Sequence, residues 1–163
     1  MKKTWIILIV IILLGVSTLQ AQQDTMLYYN FELNEWSEEG DSSRDGVFYG
    51  SISGEVPDAT GNFKFPDGTL YDGGWQEGWI GGEGTLTFTT GEKYTGSFDK
   101  GFYHGYGTYR WPDGQEYSGD YEQGLKHGRG LFIFTDGRRY EGAFVEGQAS
   151  GQGTLEFPDG VNY

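Results

Sequence analysis

YTGSFDKGFYHGYGTYRWPDGQE, residues 94–116, is the stretch whose reading decides the fold. Tyr94, Gly96 and Phe98 alternate with Thr95 and Ser97. A period of two is the pattern of a strand whose faces meet different surroundings. Gly107, Tyr109 and Trp111 alternate with Thr108 and Arg110 in the same way. Asp99 to Tyr106 lies between them and reads as a loop, with Gly101 and Gly105 supplying the reversals. Pro112-Asp113-Gly114 then reads as a second, tighter turn. The unit is strand, loop, strand, tight turn. Helix is excluded, because no helical periodicity survives so much glycine.

Outward from this unit the pattern returns every 23 residues. Aromatic openers stand at Phe48, Tyr71, Tyr94, Tyr117, Tyr140 and Tyr163. Two residues on come Gly50, Gly73, Gly96, Gly119 and Gly142, and two further Ile52, Trp75, Phe98, Tyr121 and Phe144. A second aromatic line runs through Phe65, Phe88, Trp111, Phe134 and Phe157. Turn glycines fall at Gly68, Gly91, Gly114, Gly137 and Gly160. Of the 29 glycines, 23 occupy repeat positions, so the glycine excess is architecture rather than disorder. The first unit is worn: Glu55 and Ala59 stand where glycines are expected.

These phases predict an all-β chain, an elongated single-layer antiparallel β meander of about five 23-residue hairpin repeats. An aromatic ring two residues from a strand glycine can lie flat against bare backbone, which compensates for the weakness of glycine in strands. One hairpin alone is marginal in water, so stability comes from stacking. Two strands per unit at about 4.8 Å give a rise of about 10 Å, and five units about 50 Å.

The pattern Tyr-x-Gly-x-Phe/Trp, followed by Gly-x-Gly and the second aromatic, resembles the MORN (membrane occupation and recognition nexus) repeat. Tyr71-Asp72-Gly73-Gly74-Trp75 and Tyr94-Thr95-Gly96-Ser97-Phe98 match its opening. His104-Gly105-Tyr106-Gly107-Thr108 and His127-Gly128-Arg129-Gly130 match its centre. The resemblance covers 48–163. It implies a single-layer β meander of the kind that scaffolds proteins, dimerises or attaches other domains to membranes.

Lys2 and Lys3, the apolar run Trp5 to Leu14, and the small and polar residues up to Ala21 follow the order of a secretory signal. Residues 1–21 are therefore expected to be a signal peptide and the protein to be exported, periplasmic or extracellular. An uncleaved signal acting as a membrane anchor is the alternative, although the run is shorter than the roughly 20 residues of a spanning helix. No cysteine is present, which removes disulfides, thiol nucleophiles and thiolate metal sites. The formal charge of -13 repels nucleic acid and anionic lipid. Residues 22–47 read as an acidic linker with an N-terminal cap. Met26, Leu27, Tyr28, Tyr29, Phe31, Leu33 and Trp36 form one strand or an apolar plug, and Glu35 to Asp45 form a solvated stretch.

Candidate chemistry is sparse. His104 and His127 share a phase and should stand about 10 Å apart, too far to share a zinc ion. Each is expected beside a turn, bonded to backbone. The aspartates of the Asp-Gly turns could suggest calcium, but a turn needs them anyway. For a carboxylate hydrolase the best pair is Glu55 and Asp58, in the worn unit. No nucleophile elbow, phosphate loop or dinucleotide fingerprint occurs. No catalytic residue, cofactor or metal is expected. The candidate binding face is Tyr71, Trp75, Phe88, Tyr94, Phe98, Tyr109, Trp111, Tyr117, Tyr121, Phe134, Tyr140 and Phe144. These rings either pack the sheet's own face or receive a partner. The expected function is an exported, non-catalytic scaffold for protein–protein interaction, with an envelope-associated glycan- or lipid-binding module as the alternative. The partners expected are a protein, the membrane or envelope, and a second copy paired end to end through the last strand edge.

Overall fold

The computed structural model describes residues 24–160; the signal-peptide reading of 1–21 and the opener Tyr163 lie outside them. All the elements of the described residues are strands. They are β1 (Thr25–Asn30), β2 (Glu35–Ser37), β3 (Gly46–Ser53), β4 (Val56–Lys64), β5 (Leu70–Gln76) and β6 (Trp79–Thr87). β7 (Lys93–Asp99), β8 (Phe102–Arg110), β9 (Glu116–Glu122), β10 (Leu125–Ile133), β11 (Arg139–Val145) and β12 (Gln148–Glu156) follow. All twelve form one open antiparallel sheet in which β3 to β12 run as a simple meander. Only the N-terminal end departs from sequence order, with β1 lying between β2 and β3.

The register explains the glycines. Within hairpins Gly50 pairs with Gly61, Gly73 with Gly84, Gly96 with Gly107 and Gly142 with Gly153. Between hairpins Gly61 pairs with Gly73, Gly84 with Gly96, Gly107 with Gly119 and Gly130 with Gly142. Gly119 opposite Gly130 completes the row. A bare track of backbone therefore crosses every strand from β3 to β12, and the opening rings lie in it.

The Asp-Gly turns behave as the sequence predicts. Phe65 N–H donates to the Thr69 carbonyl, and Gly68 N–H to the Phe65 carbonyl, both at 2.9 Å. This is a three-residue hairpin loop closed by a left-handed glycine, Gly68 at φ 89°. Asp67, Asp113 and Asp136 each accept the backbone N–H two residues on, at 2.8, 3.1 and 3.1 Å. Their carboxylates are thus committed to the turn.

The opposite hairpin ends differ from expectation. The loop read over Asp99 to Tyr106 is a two-residue turn followed by strand. Asp99 pairs with Phe102 around Lys100-Gly101, and the register then shifts between Gly96 and Phe98. Lys100 at φ 47° and Gly101 at φ 85° are both left-handed, as in a type I′ turn. Glu77-Gly78, Gln123-Gly124 and Glu146-Gly147 repeat it. Lysine, glutamate and glutamine are poor left-handed residues, so in the sequence only the glycine marks the turn. Tertiary bonds hold it instead: the turn glycine N–H donates to the preceding hairpin, Gly101 to Ile80 at 2.8 Å and Gly124 to Tyr103 at 2.9 Å. The worn unit keeps the hairpin by other means. Gly54, at φ 66°, leads its turn in place of following it, and Ala59 adopts φ 73° where later units have glycine.

Within 22–47, the stretch that reads as solvated contains β2 and a buried Asp45. Asp45 Oδ2 accepts the Asp41 N–H at 2.8 Å, which lets a carboxylate sit inside. Trp36, flanked by acids, turns inward against Phe48, Phe63 and Trp75 at centroid distances of 6.0, 5.7 and 5.7 Å. Charge counting conceals both features.

Candidate functional site

The opening tyrosines organise the surroundings of the site. Tyr71, Tyr94 and Tyr117 are at most 1% exposed. Each hydroxyl donates to the backbone carbonyl three residues on, that of Gly74, Ser97 or Asp120, at 2.9, 2.8 and 3.0 Å. These carbonyls lie where the strand register breaks, so the phenol restores a bond that the ladder omits. Each ring also meets a ring edge-on from the following unit: Tyr71–Phe98 at 5.2 Å, Tyr94–Tyr121 at 5.3 Å and Tyr117–Phe144 at 5.0 Å. Ring pairs of this geometry add about 0.5–1.5 kcal/mol beyond burial. Every hairpin thereby closes the core of the one before it.

This decides where the twelve candidate residues stand. Tyr71, Trp75, Tyr94, Phe98, Tyr117, Tyr121 and Phe144 are buried, as members of one core cluster. Self-packing accounts for these seven. Phe88, Tyr109, Trp111, Phe134 and Tyr140 are half-buried. Four of them line the Pro-Asp-Gly side, where Tyr109 lies 4.5 Å from Trp111.

Burial also sets the titration of the phenols. Desolvation pushes Tyr71, Tyr94, Tyr103, Tyr117 and Tyr121 well above the ordinary value of 10.0, and Asp72 beside Tyr71 adds to the effect. A group whose pKa rises on folding contributes stability that is complete below its unfolded pKa and disappears as pH rises through the folded one. The array should therefore keep a constant Tm from neutrality to about pH 10 and lose stability steeply above it. Circular dichroism melts across this range check the point. An unchanged Tm at about pH 11.5 would mean that the phenols ionise freely in the folded state.

One unit substitutes a cation for a ring. Tyr103 stacks on Tyr94 at 3.8 Å. Its equivalent one unit later is Lys126, whose Nζ lies 4.8 Å from the Phe132 ring centre and 5.4 Å from that of Tyr117. Burial lowers the pKa of this lysine. The ring faces stabilise the ammonium through their quadrupoles and so offset part of that cost.

The open part of the core lies at the N-terminal end. A cleft of about 440 Å³ is walled by Tyr29, Phe31, Trp36, Phe65, Trp75 and Trp79, with Asn34, Glu77 and Lys100 among its polar lining. Only Trp75 of this wall belongs to the twelve candidates. The β1–β2 hairpin supplies the others that sequence reasoning read as a plug. The Asn34 carboxamide oxygen accepts from the Tyr29 hydroxyl and fixes that corner. Elsewhere, Glu55 sits exposed in the first hairpin turn and Asp58 is half-buried in β4. The His127 imidazole faces the Glu122 carboxylate at 3.4 Å rather than backbone. Among the described residues no group of three or more His, Asp or Glu could hold a metal ion.

Residues 71–93, 94–116, 117–138 and 140–161 each match the MORN repeat, together more than half of the chain. The chain belongs to the MORN repeat family. Its four matched MORN units are the hairpins from β5/β6 to β11/β12, and β3/β4 repeats their register ahead of them. MORN units are interaction repeats without catalytic chemistry of their own, and mediate protein or membrane contacts. No curated protein matches the chain. Among solved structures it is similar to the SAS-4 (dCPAP) TCP domain of Drosophila melanogaster, solved in complex with a proline-rich motif of Ana2 (dSTIL). That likeness has a TM-score of 0.47 and 9% identity over 95% of this chain and 84% of the other.

Proposed function

We propose that this MORN protein is an exported, non-catalytic scaffold whose N-terminal cleft holds a protein partner. The observation that carries the reading is the cleft itself. It is a ring-lined, accessible apolar hollow at one end of a sheet whose other large rings are mostly spent on one another. Contiguous exposed apolar surface of this kind marks an interaction site. Its rings are the side-chain types that anchor protein interfaces. Export rests on Lys2, Lys3 and the apolar run after them. The acidity favours a protein over an anionic bilayer.

Affinity capture by the exported chain from its own envelope fraction, followed by mass spectrometry, tests the reading. The expected result is a protein retained by wild type and lost with Trp79→Asp. Retention on purified glycan or lipid with no protein captured would replace it with the envelope-binding alternative.

The β12 strand supports an end-to-end pair. It is exposed along nearly its whole length and forms one edge of the described sheet. Such an edge templates pairing with another chain. Sedimentation should show a dimer that strengthens with concentration; a monomeric mass at high concentration rejects it.

A further inference from the structure

Val56, Trp79, Phe102 and Leu125 repeat at the unit spacing, a phase that escapes notice in the sequence because none of them is glycine or alternates within its strand. Each is the first residue of its strand, just past a two-residue turn. Trp79, Phe102 and Leu125 are 54%, 58% and 50% exposed. They protrude as a row along the hairpin ends that begins at the cleft, where Trp79 forms part of the wall. Phe102 lies beside the next turn, at Gly124, and Val56 beside Gly78. Exposed carboxylates accompany it at every step: Glu55, Glu77, Asp99, Glu122 and Glu146. Asp99 and Glu122 are the direct cross-strand partners of Phe102 and Leu125. Lys100 is the one cation in those two-residue turns.

We infer that this row docks an amphipathic helix of the partner protein, apolar at every seventh residue and flanked by lysine or arginine. The inference rests on the protein-binding reading above and names the partner's chemistry. Three features support it. The acidic flank, on a chain of formal charge -13, complements a basic segment and repels an acidic one. Hairpins recur about every 10 Å. Seven helical residues advance about 10.5 Å and return to nearly the same face, so heptad positions stay in step with the row. An extended strand presents one face about every 6.6 Å and falls out of step. The three exposed side chains span about 20 Å over two intervals, the length of a helix of about 14 residues. A polyproline segment has a matching pitch of about 9.3 Å, but it seeks an aromatic-lined groove. Protruding side chains instead fit the grooves between helix ridges.

The test uses the full exported chain and a synthetic peptide of about 21 residues, with leucine along one helical face and lysine on both flanks. Fluorescence anisotropy should show binding that weakens with added salt. It should fall at least about tenfold with Trp79→Asp or Phe102→Asp. Both side chains are largely exposed, so the variants should melt with wild type; if Phe102→Asp does not, Phe102→Ser replaces it. Equal binding of a peptide with its leucines dispersed around the helix overturns the inference. So does tighter binding of a proline–arginine peptide, or undiminished binding by the variants. A captured partner lacking any basic helix sinks this inference and leaves the protein-binding reading intact. Capture of no protein sinks both.

Discussion

Gly107→Ala should unfold the middle of the array. A Cβ at this position would stand 2.5 Å from Tyr94 Cζ and 2.6 Å from its Cε2, well inside contact distance. The ring cannot retreat. It is fully buried, stacked on Tyr103 at 3.8 Å and met edge-on by Phe98 at 5.0 Å and Tyr121 at 5.3 Å. Backbone cannot give either, since Gly107 is paired on both sides, with Gly96 and Gly119. Overpacking a tight core costs about 1–3 kcal/mol, and more where a large ring is expelled. A total stability of about 5–15 kcal/mol makes this a large fraction. Gly81→Ala is the internal comparison, because a Cβ there meets Gln76 Cβ at 3.7 Å and the Trp79 carbonyl oxygen at 4.0 Å, ordinary contacts. Urea titrations should separate the two variants by at least about 2 kcal/mol. Equal midpoints would show that the bare track is not what admits the rings.

Tyr94→Ala should cost about 3–5 kcal/mol, the usual range for removing a large buried aromatic. The side chain touches rings of its own unit, Phe98 and Tyr103, and of the next, Tyr121. Its loss therefore weakens both a hairpin and the junction to its neighbour. In repeat arrays stability is close to a sum of unit and junction terms, so the weakened junction should let the two sides melt apart. Denaturation followed by circular dichroism and by tryptophan fluorescence would then cease to coincide. Tyr94→Phe keeps the ring and removes only the bond to the Ser97 carbonyl, at about 1 kcal/mol. If the alanine variant were no worse than the phenylalanine one, ring packing would not be what joins the units.

The contrast between these variants also shows which features can be read from sequence. Local geometry was open to inspection: Pro112-Asp113-Gly114 declares its turn, and Tyr94-x-Gly96 declares a ring beside bare backbone. The hairpins, their pairing and the aromatic core follow from such pairs repeated at 23 residues. What escaped are features sustained from outside the local sequence. Lys100 takes a left-handed conformation because Gly101 is tied to Ile80 in the preceding hairpin. Asp45 is buried because the Asp41 amide meets it. The burial of seven of the candidate rings escapes for the same reason. An alternating ring signals that one side of a strand is apolar, but not that the next hairpin will cover it. The cleft forms where β1 and β2 join the sheet out of sequence order, an arrangement that no local pattern announces.

Because Tyr71, Tyr94 and Tyr117 are each closed by a ring from the hairpin that follows, the array has a built-in direction of growth. A chain emerging from the ribosome shelters its newest tyrosine only when the next strand arrives, 27 residues later for the contact between Tyr94 and Tyr121. Contacts of such short reach form quickly and need no distant part of the chain. At any moment of synthesis, then, the exposed, aggregation-prone surface is confined to a single advancing front.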